Sequence, residues 1–426
     1  MPGQAKTDTS QNGPVDRRAL IGLLVGATLA RTAAVVAMRG SLALDVDNYR
    51  ELAENLTRSG VYGIGGAPTA YRPPLYPLLL ATLDFVGQLN LATIAALHVA
   101  LGVATVWLVA ALGKQWGLQR WRFLAAGLVA LDPILLRQSS VVMTETLATF
   151  LAAAGLTALT TLATRPSVLR AFFTGAVLAA GVLCRPVFLL WLAIAPVALL
   201  GLLPNWSARA RSIGCLVVAA ALVLLPWMIR NQLQFGRPIV TTTHGGFTAL
   251  LANNPEFYAH LRATSDTPWD SADFNQRVAA ERVAEPADEV ATDRREGAEA
   301  WRNIQNEPAP FGRAVVFRLS RLWGVLPMAL PGESESARAL RYATGVWYAA
   351  EFILALWGAA SQGWQLLRSP WVFGVLLAGS LTAAHAVYWT DLRMRAPAAP
   401  VIALLAAAGA SWLVRKMTDR NSLSSK

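Results

Sequence analysis

Ten long apolar segments, separated by more polar stretches, constrain this sequence more than any other feature. A helix needs about 20 residues to cross a hydrocarbon core of ~30 Å, and segments of roughly that length recur along the chain. With 54% hydrophobic and only 15% charged residues, the chain has too little polar surface for a soluble globule. We therefore predict an all-α polytopic membrane protein with about ten transmembrane helices: 19–38, 89–112, 121–136, 141–163, 168–184, 187–203, 212–229, 342–360, 371–389 and 397–414.

The basic residues indicate how the chain crosses the membrane. The formal net charge is +11, but the basic residues form short clusters between apolar segments, which argues against nucleic acid as a partner. Segment 75–86 is too short to cross, so we interpret it as a juxtamembrane helix. With the N-terminus inside, every cluster then falls on the cytoplasmic side, as the positive-inside rule requires: Lys114, Arg120 and Arg122; Arg165 and Arg170; Arg209 and Arg211; Arg368; Arg415 and Lys416.

This topology divides the chain into successive parts. We expect a disordered cytoplasmic tail, an N-terminal transmembrane module with a first outer loop at 39–88, an extracytoplasmic insert, a C-terminal transmembrane module and a second cytoplasmic tail: 1–18, 19–229, 230–341, 342–414 and 415–426. Inside the insert, 312–326 places arginines among apolar residues, which is typical of a helix lying on a membrane surface. We expect a multi-pass protein of a bacterial inner or plasma membrane, with its site facing outside.

The first outer loop carries two acids that begin an amphipathic helix. Asp45 and Asp47 precede an apolar face that starts at Tyr49, and Tyr71 and Arg72 follow a glycine-rich turn. Either aspartate could serve as the N-cap of that helix. As an Asp-x-Asp pair, the two could instead hold Mg²⁺ or Mn²⁺ with hard carboxylate oxygens, so a divalent metal remains possible.

Polar groups also collect at the outward ends of the predicted helices. Charged side chains at membrane depth usually pair or line a cavity, so their gathering on one side predicts a cavity at the outer membrane edge. Glu145 could instead cap its helix start, and Arg137 or Arg395 could reach the headgroups. His98 is interpreted as a core residue, and His244 as a candidate substrate contact. The polar groups are Asp132, Arg137, Thr144, Glu145, Arg185, Arg230, Asn231, Asp391, Arg393 and Arg395.

Several stretches, taken in order, resemble one enzyme superfamily. They are Asp45 with Tyr49 four positions later, RPPLYPLLLA at 72–81, CRPVFLLW at 184–191, PWMIRNQLQFGRPIV at 226–240, NEPAPFGR at 306–313 and DLRMRAPAAP at 391–400. Together they resemble the glycosyltransferase-C superfamily, within it the group of the protein O-mannosyltransferases and the aminoarabinose transferases that modify lipid A. The order of the stretches, more than any one of them, carries the resemblance.

The resemblance implies an inverting glycosyltransferase that moves a hexosyl or pentosyl group. The donor would be a polyprenyl-phosphate-linked sugar, and the acceptor an unknown glycan, lipid or protein on the outer side. Asp45 corresponds to the family's acidic residue near the acceptor, so the resemblance makes Asp45 the first candidate, and Asp47 the second, for a catalytic general base that accepts the acceptor's proton. Val46 and Met394 depart from the family pattern, which leaves the division of roles between Asp45 and Asp47 open. Candidates to hold the donor phosphate are Arg72, Arg185, Arg230, Arg393 and Arg395; further substrate-site candidates are Tyr49, Tyr71, Glu145, Asn231 and His244.

Two other functions fit the same sequence. A polar cavity between membrane helices would also suit a lipid or solute transporter. Such proteins usually show internal repeats and interrupted helix pairs, and the sequence indicates neither. A catalytically silent scaffold of the same fold is the other alternative.

Overall fold

The computed structural model describes residues 14–263, 269–284, 288–329 and 332–424. Over these residues the chain is mainly helical, with one short hairpin. In chain order the α-helices α1 to α19 are Pro14–Ala37, Arg39–Ala43, Tyr49–Ser59, Leu75–Phe85, Leu91–Gln115, Arg122–Leu131, Pro133–Gln138, Glu145–Thr164, Val168–Cys184, Phe188–Leu202, Trp206–Phe235, Gly245–Ala252, Pro255–Arg262, Ala272–Ala284, Glu289–Asn306, Pro308–Leu322, Glu335–Gln362, Trp371–Val387 and Ala399–Ser424. Short 3-10 helices cover Gln119–Trp121, Gly363–Leu367 and Leu392–Ala398.

The apolar helices confirm a polytopic membrane fold. Within the described residues, six helices are long and apolar enough to cross a bilayer: α1, α5, α8, α11, α17 and α19. Four shorter apolar helices, α4, α9, α10 and α18, accompany them. Residues 1–13 of the predicted N-terminal tail lie outside the described residues, α1 begins at Pro14, and α19 continues through the predicted C-terminal tail to Ser424.

The third predicted segment, 121–136, differs from one continuous span. It forms α6 and α7, with a break at Asp132, whose backbone is extended at φ −55° and ψ 121°. Pro133 lacks an amide proton and disfavours helical backbone in the residue before it. The Asp132 carboxylate then accepts a hydrogen bond from the Leu135 amide at 2.9 Å, which caps α7. The hydropathy of a segment does not by itself predict such a break in its helix.

Close glycine contacts hold the last two long helices together. A Cβ added to Gly358 on α17 would lie 1.9 Å from the Leu405 carbonyl oxygen on α19, and one on Gly409 would lie 2.0 Å from the Leu354 carbonyl oxygen. Small residues at a membrane helix crossing let the two backbones approach. The α17–α19 pair therefore depends on both glycines.

The loop at 45–77 is a compact unit between α2 and α4. It contains α3 and an antiparallel hairpin of β1 (Gly63–Ile64) and β2 (Ala67–Pro68). The turn residues Gly65 and Gly66 have φ of +58° and +82°, as a type I′ hairpin turn requires. This hairpin carries the chain back to Tyr71 and Arg72.

One carboxylate of the insert makes several contacts with this loop. Glu289, at the start of α15, accepts hydrogen bonds from the Thr69 hydroxyl at 2.6 Å and the Ala70 amide at 2.7 Å. It also accepts one from the Thr243 hydroxyl. One side chain therefore joins the 45–77 loop to the segment that precedes α12.

Helix α16 overlaps the predicted surface helix, but its central arginine faces inward. Arg318 is fully buried and donates to the carbonyls of Ala252 at 2.6 Å and Ala386 at 2.5 Å. These carbonyls lie at the ends of α12 and α18, where helices leave acceptors unpaired. Arg318 therefore ties α16 to two other helices.

Candidate active site

The two aspartates of the 45–77 loop have different partners. Asp45 accepts hydrogen bonds from the backbone amides of Arg50 and Glu51, each at 3.0 Å, and so satisfies donors in the first turn of α3. Asp47 instead lies 2.7 Å from the guanidinium of Arg72. Asp45 is thus engaged by the backbone, whereas Asp47 faces another side chain.

The Arg72 side of this pair is fixed by the turn around it. The Tyr62 hydroxyl donates to the Arg72 carbonyl at 3.0 Å, and the Arg72 guanidinium lies 5.2 Å from the centre of the Tyr71 ring. Pro73 and Pro74 restrict the backbone that follows. The Asp47 and Arg72 side chains are each 18% exposed, so the pair remains open to a ligand.

A second group of charges comes from three distant segments. Glu145 begins α8, Arg185 follows α9, and Arg393 lies in the 3-10 helix before α19. Arg185 Nη1 is 3.1 Å from Glu145 Oε1, and Arg393 Nε is 3.6 Å from the same oxygen. Asp391 adds a contact to Arg393 Nε at 3.1 Å.

Some polar atoms in this group lack hydrogen-bond partners. Glu145 is buried and its Oε2 has no hydrogen-bond partner. Arg185 Nη1 contacts Glu145 Oε1 as an ion pair but makes no hydrogen bond. Buried polar atoms are usually paired, so each exception needs a reason. We name Asp47, Arg72, Glu145, Arg185, Asp391 and Arg393 the Glu145 cluster; it leaves hydrogen-bonding capacity that a ligand would use.

Tyr49 connects the loop acids to the helix-end charges. Burial raises the pKa of its phenol well above the usual value, and the charges of Asp47, Arg72, Glu145 and Arg185 also act on it. The ring packs edge-on against Tyr76 at 5.3 Å. The Tyr76 hydroxyl in turn lies 2.7 Å from Nε2 of the buried His98, which fits the predicted core position of that histidine.

The insert contributes the opposite side of the site. The ring of His244 lies 4.3 Å from that of Tyr71, and its Nδ1 is buried without a hydrogen-bond partner. Burial lowers the pKa of His244 to about 3, and the positive charges of Arg72 and Arg282 act in the same direction. Arg282, which pairs with Glu296 at 2.7 Å, was not predicted from the sequence, because it lies inside an ordinary polar helix.

Three of the predicted polar residues have other surroundings. Arg230 donates to the carbonyls of Thr69 at 2.9 Å and Tyr62 at 2.7 Å. Asn231 accepts from Arg230 at 2.9 Å and donates to the Ile239 carbonyl at 2.9 Å. Both therefore brace the 45–77 loop and the start of the insert. Arg395 is buried and donates to the carbonyls of Leu322 and Gly324, away from Glu145.

The aspartate pair does not form a metal site in this arrangement. Asp45 is held by backbone amides and Asp47 by Arg72. Across the ranges that the structure describes, His, Cys, Asp and Glu side chains form no group of three or more that could hold a metal ion. The residues present therefore do not fit a divalent cation between Asp45 and Asp47.

Comparison with known proteins identifies the fold. No protein-family model matches the sequence, and no curated protein matches it. The archaeal oligosaccharyltransferase AglB from Archaeoglobus fulgidus, solved with an inhibitory peptide and a dolichol-phosphate, aligns with 97% of this chain and 52% of its own, at 15% identity and a TM-score of 0.56. The apo form of the Archaeoglobus fulgidus oligosaccharyltransferase aligns with 99% of this chain and 52% of its own, at 14% identity and a TM-score of 0.53.

ArnT from Cupriavidus metallidurans, bound to undecaprenyl phosphate, aligns with 93% of this chain and 78% of its own, at 13% identity and a TM-score of 0.46. The chain spans about half the length of the oligosaccharyltransferases it matches. It shares the fold of these oligosaccharyltransferases, which agrees with the fold that the resemblance in its sequence implied.

Proposed function

We propose that this chain is a membrane glycosyltransferase that moves a sugar from a polyprenyl-phosphate carrier to an acceptor on the extracytoplasmic side, with inversion. The observation that carries the proposal is the convergence of the Glu145 cluster. Its residues come from the 45–77 loop and from the ends of helices far apart in sequence, yet the charges of Asp47, Arg72, Glu145 and Arg185 all act on one tyrosine, Tyr49. The oligosaccharyltransferase of similar fold was solved with a dolichol-phosphate, which supports a lipid-phosphate donor.

Arg72, Arg185 and Arg393 would hold the phosphate of the donor. Guanidinium groups bind phosphate through short, charge-assisted hydrogen bonds. The negative charge on that phosphate grows as the bond to the sugar breaks, so arginines positioned beforehand stabilise the transition state more than the ground state. Glu145 would orient Arg185 and Arg393 before the donor arrives.

Asp47 would accept the proton of the acceptor. The acceptor oxygen attacks the anomeric carbon on the face opposite the phosphate, the carbon–oxygen bond to the phosphate breaks with both electrons going to the phosphate, and the acceptor proton passes to Asp47. A carboxylate used in this way accelerates proton transfer by ~10² to 10⁴. We assign this role to Asp47 because the Asp45 carboxylate is occupied by the backbone amides of Arg50 and Glu51; Asp45 would hold Asp47 in place.

The test is sugar transfer in membranes from a radiolabelled polyprenyl-phosphate sugar. We expect Asp47→Asn to lower the rate by ~10² or more, while Asp45→Asn loses less because an asparagine oxygen still caps α3. Glu54→Gln is the matched control, since Glu54 lies on α3 and pairs with the exposed Arg58.

Near-normal transfer by the Asp47 variant, with loss in the Asp45 variant, would reverse the two roles. Failure of the unmodified protein to form any new glycosidic bond would refute the enzymatic proposal.

One observation favours lipid transport as a second candidate. The break at Asp132 interrupts the predicted membrane segment 121–136, and interrupted membrane helices are common in transporters. The same assay separates the two functions, because a transporter moves labelled lipid between leaflets without forming a new glycosidic bond.

A further inference from the structure

Apart from the Glu145 cluster, another group of charged side chains is buried inside the helix bundle. Arg31, Asp132, Glu351 and Arg395 are all at most 4% exposed. They come from α1, the α6–α7 break, α17 and the 3-10 helix before α19. Charges at such depth are costly and need partners in the protein. With Tyr348, we name these residues the Asp132 cluster.

The Asp132 cluster first secures the break between α6 and α7. Arg31 donates to the carbonyls of Ala130 at 2.8 Å and Val129 at 3.2 Å, at the end of α6, where carbonyls lose their helical partners. The Tyr348 hydroxyl donates to Asp132 at 2.9 Å and accepts from the Ile134 amide at 3.1 Å. One phenol from α17 therefore fixes both sides of the break.

The cluster next reaches the segment that carries Arg393. The Arg395 guanidinium lies 4.1 Å from the centre of the Tyr348 ring and 5.0 Å from that of Phe352. It also donates to the carbonyls of Leu322 and Gly324 at the end of α16. Arg395 is thus held from two sides, by α17 and by α16.

Arg393 and Arg395 share one 3-10 helix, Leu392–Ala398. With 3.0 residues per turn, side chains two positions apart point in directions about 120° apart around the helix axis. Arg395 therefore points into the Asp132 cluster while Arg393 points to Glu145, 3.6 Å away. Any rotation of this short helix would move both arginines together.

We propose that Tyr348, Asp132 and Arg395 are positioning residues that hold Arg393 against Glu145. Within the part of the chain that the structure describes, none of the three forms a hydrogen bond with the Glu145 cluster; they act through the backbone of the 3-10 helix. The expected effect on the rate of sugar transfer rests on the proposed function. The position of Arg393 can be measured whether or not the protein transfers sugar.

The kinetic test is a double-mutant cycle between Tyr348 and Arg393. Tyr348→Phe removes both hydrogen bonds of the hydroxyl and keeps the ring. We expect it to lower kcat/KM for the donor about tenfold, the loss produced by one hydrogen bond to a charged group. In an Arg393→Ala background the same change should have less than about a twofold effect, because the arginine to be positioned is absent.

Tyr342→Phe is the matched control, since Tyr342 lies on the same helix but is 54% exposed. Arg395→Lys is a second variant: it keeps the charge over Tyr348 but replaces the planar guanidinium fork, so it should show the same dependence on Arg393. Equal losses in both backgrounds would overturn the proposal.

The second test measures the position of residue 393 directly. In a Cys184→Ala, Cys215→Ala background, which removes the free thiols, Arg393→Cys provides one thiol at a side chain that is 34% exposed. We expect Tyr348→Phe to raise its labelling rate by a water-soluble thiol reagent about threefold or more, because local opening exposes the site.

An unchanged labelling rate would refute the positioning role, whatever the transfer assay shows. A raised rate, together with no sugar transfer by the unmodified protein, would support the positioning role and refute the proposed function. The two proposals therefore fail separately.

Discussion

The Glu145 cluster and the Asp132 cluster both place arginines beside buried acids, but their arginines have different partners. In the Glu145 cluster, Arg72, Arg185 and Arg393 contact carboxylates and stay 13–34% exposed. In the Asp132 cluster, Arg31 and Arg395 are 1–2% exposed and donate to backbone carbonyls.

This difference separates arginines that could bind a ligand from arginines that maintain the fold. A carboxylate partner can be exchanged for an incoming phosphate of similar geometry, whereas a carbonyl at a helix end has no other partner. Arg230 and Arg318 also donate to carbonyls. Whether an arginine contacts a carboxylate or a backbone carbonyl therefore distinguishes the two kinds of arginine more clearly than their burial does.

The largest expected effect is that of Glu145→Gln. Removing this carboxylate leaves Arg185 and Arg393 without their shared partner, and breaking a buried ion pair costs ~3 to 5 kcal/mol. We expect the thermal midpoint in detergent to fall markedly and sugar transfer to be lost. Glu333→Gln is a control that affects one arginine, Arg341. A midpoint no lower than that of the control would show that the Glu145 cluster does not depend on its carboxylate.

An intermediate effect is expected for Gly102→Ala, which tests the Asp132 cluster. A Cβ at residue 102 would lie 2.0 Å from Arg31 Nε, so Arg31 must shift from the carbonyls that it holds. Overpacking of this kind costs ~1 to 3 kcal/mol. The measurement is the thermal midpoint in detergent, with Gly26→Ala as the control because nothing lies within 4 Å of a Cβ there. Equal midpoints for the two variants would contradict the tight packing around Arg31.

The smallest expected effect is the pH dependence of folding stability that His244 contributes. This histidine lies at the edge of the Glu145 cluster. Its pKa falls from 6.5 to about 3 on folding, mainly through burial, so the unfolded chain binds a proton that the folded chain does not. The resulting stability is complete above pH 6.5 and is lost as the pH falls towards 3.

We therefore expect the midpoint difference between the unmodified protein and His244→Gln to shrink between pH 7 and pH 4. Carboxylates elsewhere titrate in both proteins, so the difference isolates His244. A difference that stays constant with pH would show that folding does not lower the pKa of His244, as expected if its ring were in contact with water.

The fold was largely predictable because its main determinant is local. Each predicted apolar segment contains helix, and the juxtamembrane helix at 75–86 corresponds to α4. The exception is 121–136. Its break depends on Asp132 and Pro133, which are visible in the sequence, and on Tyr348, which is 216 residues away from Asp132.

For the site, the sequence predicted which types of residue are present but not the role of each residue. The sequence placed acids and arginines at helix ends, but the roles of these residues depend on distant partners. Arg72 pairs with Asp47 25 residues away, and Arg230 donates to a carbonyl 161 residues away. Because backbone carbonyls occur at every residue, no sequence pattern indicates which arginine will find one.

The Glu289 contact has a consequence for the synthesis of the chain. Glu289 binds Thr69 across 220 residues, so the 45–77 loop leaves the ribosome long before the carboxylate that secures it. At ~5 to 20 residues per second, this interval is roughly 10 to 45 s. During that time the loop lacks the insert above it, and any chaperone that protects the nascent protein would find the Thr69 region still uncovered. The loop at 45–77 is therefore synthesised early but gains its hydrogen bonds to Glu289 only late in synthesis.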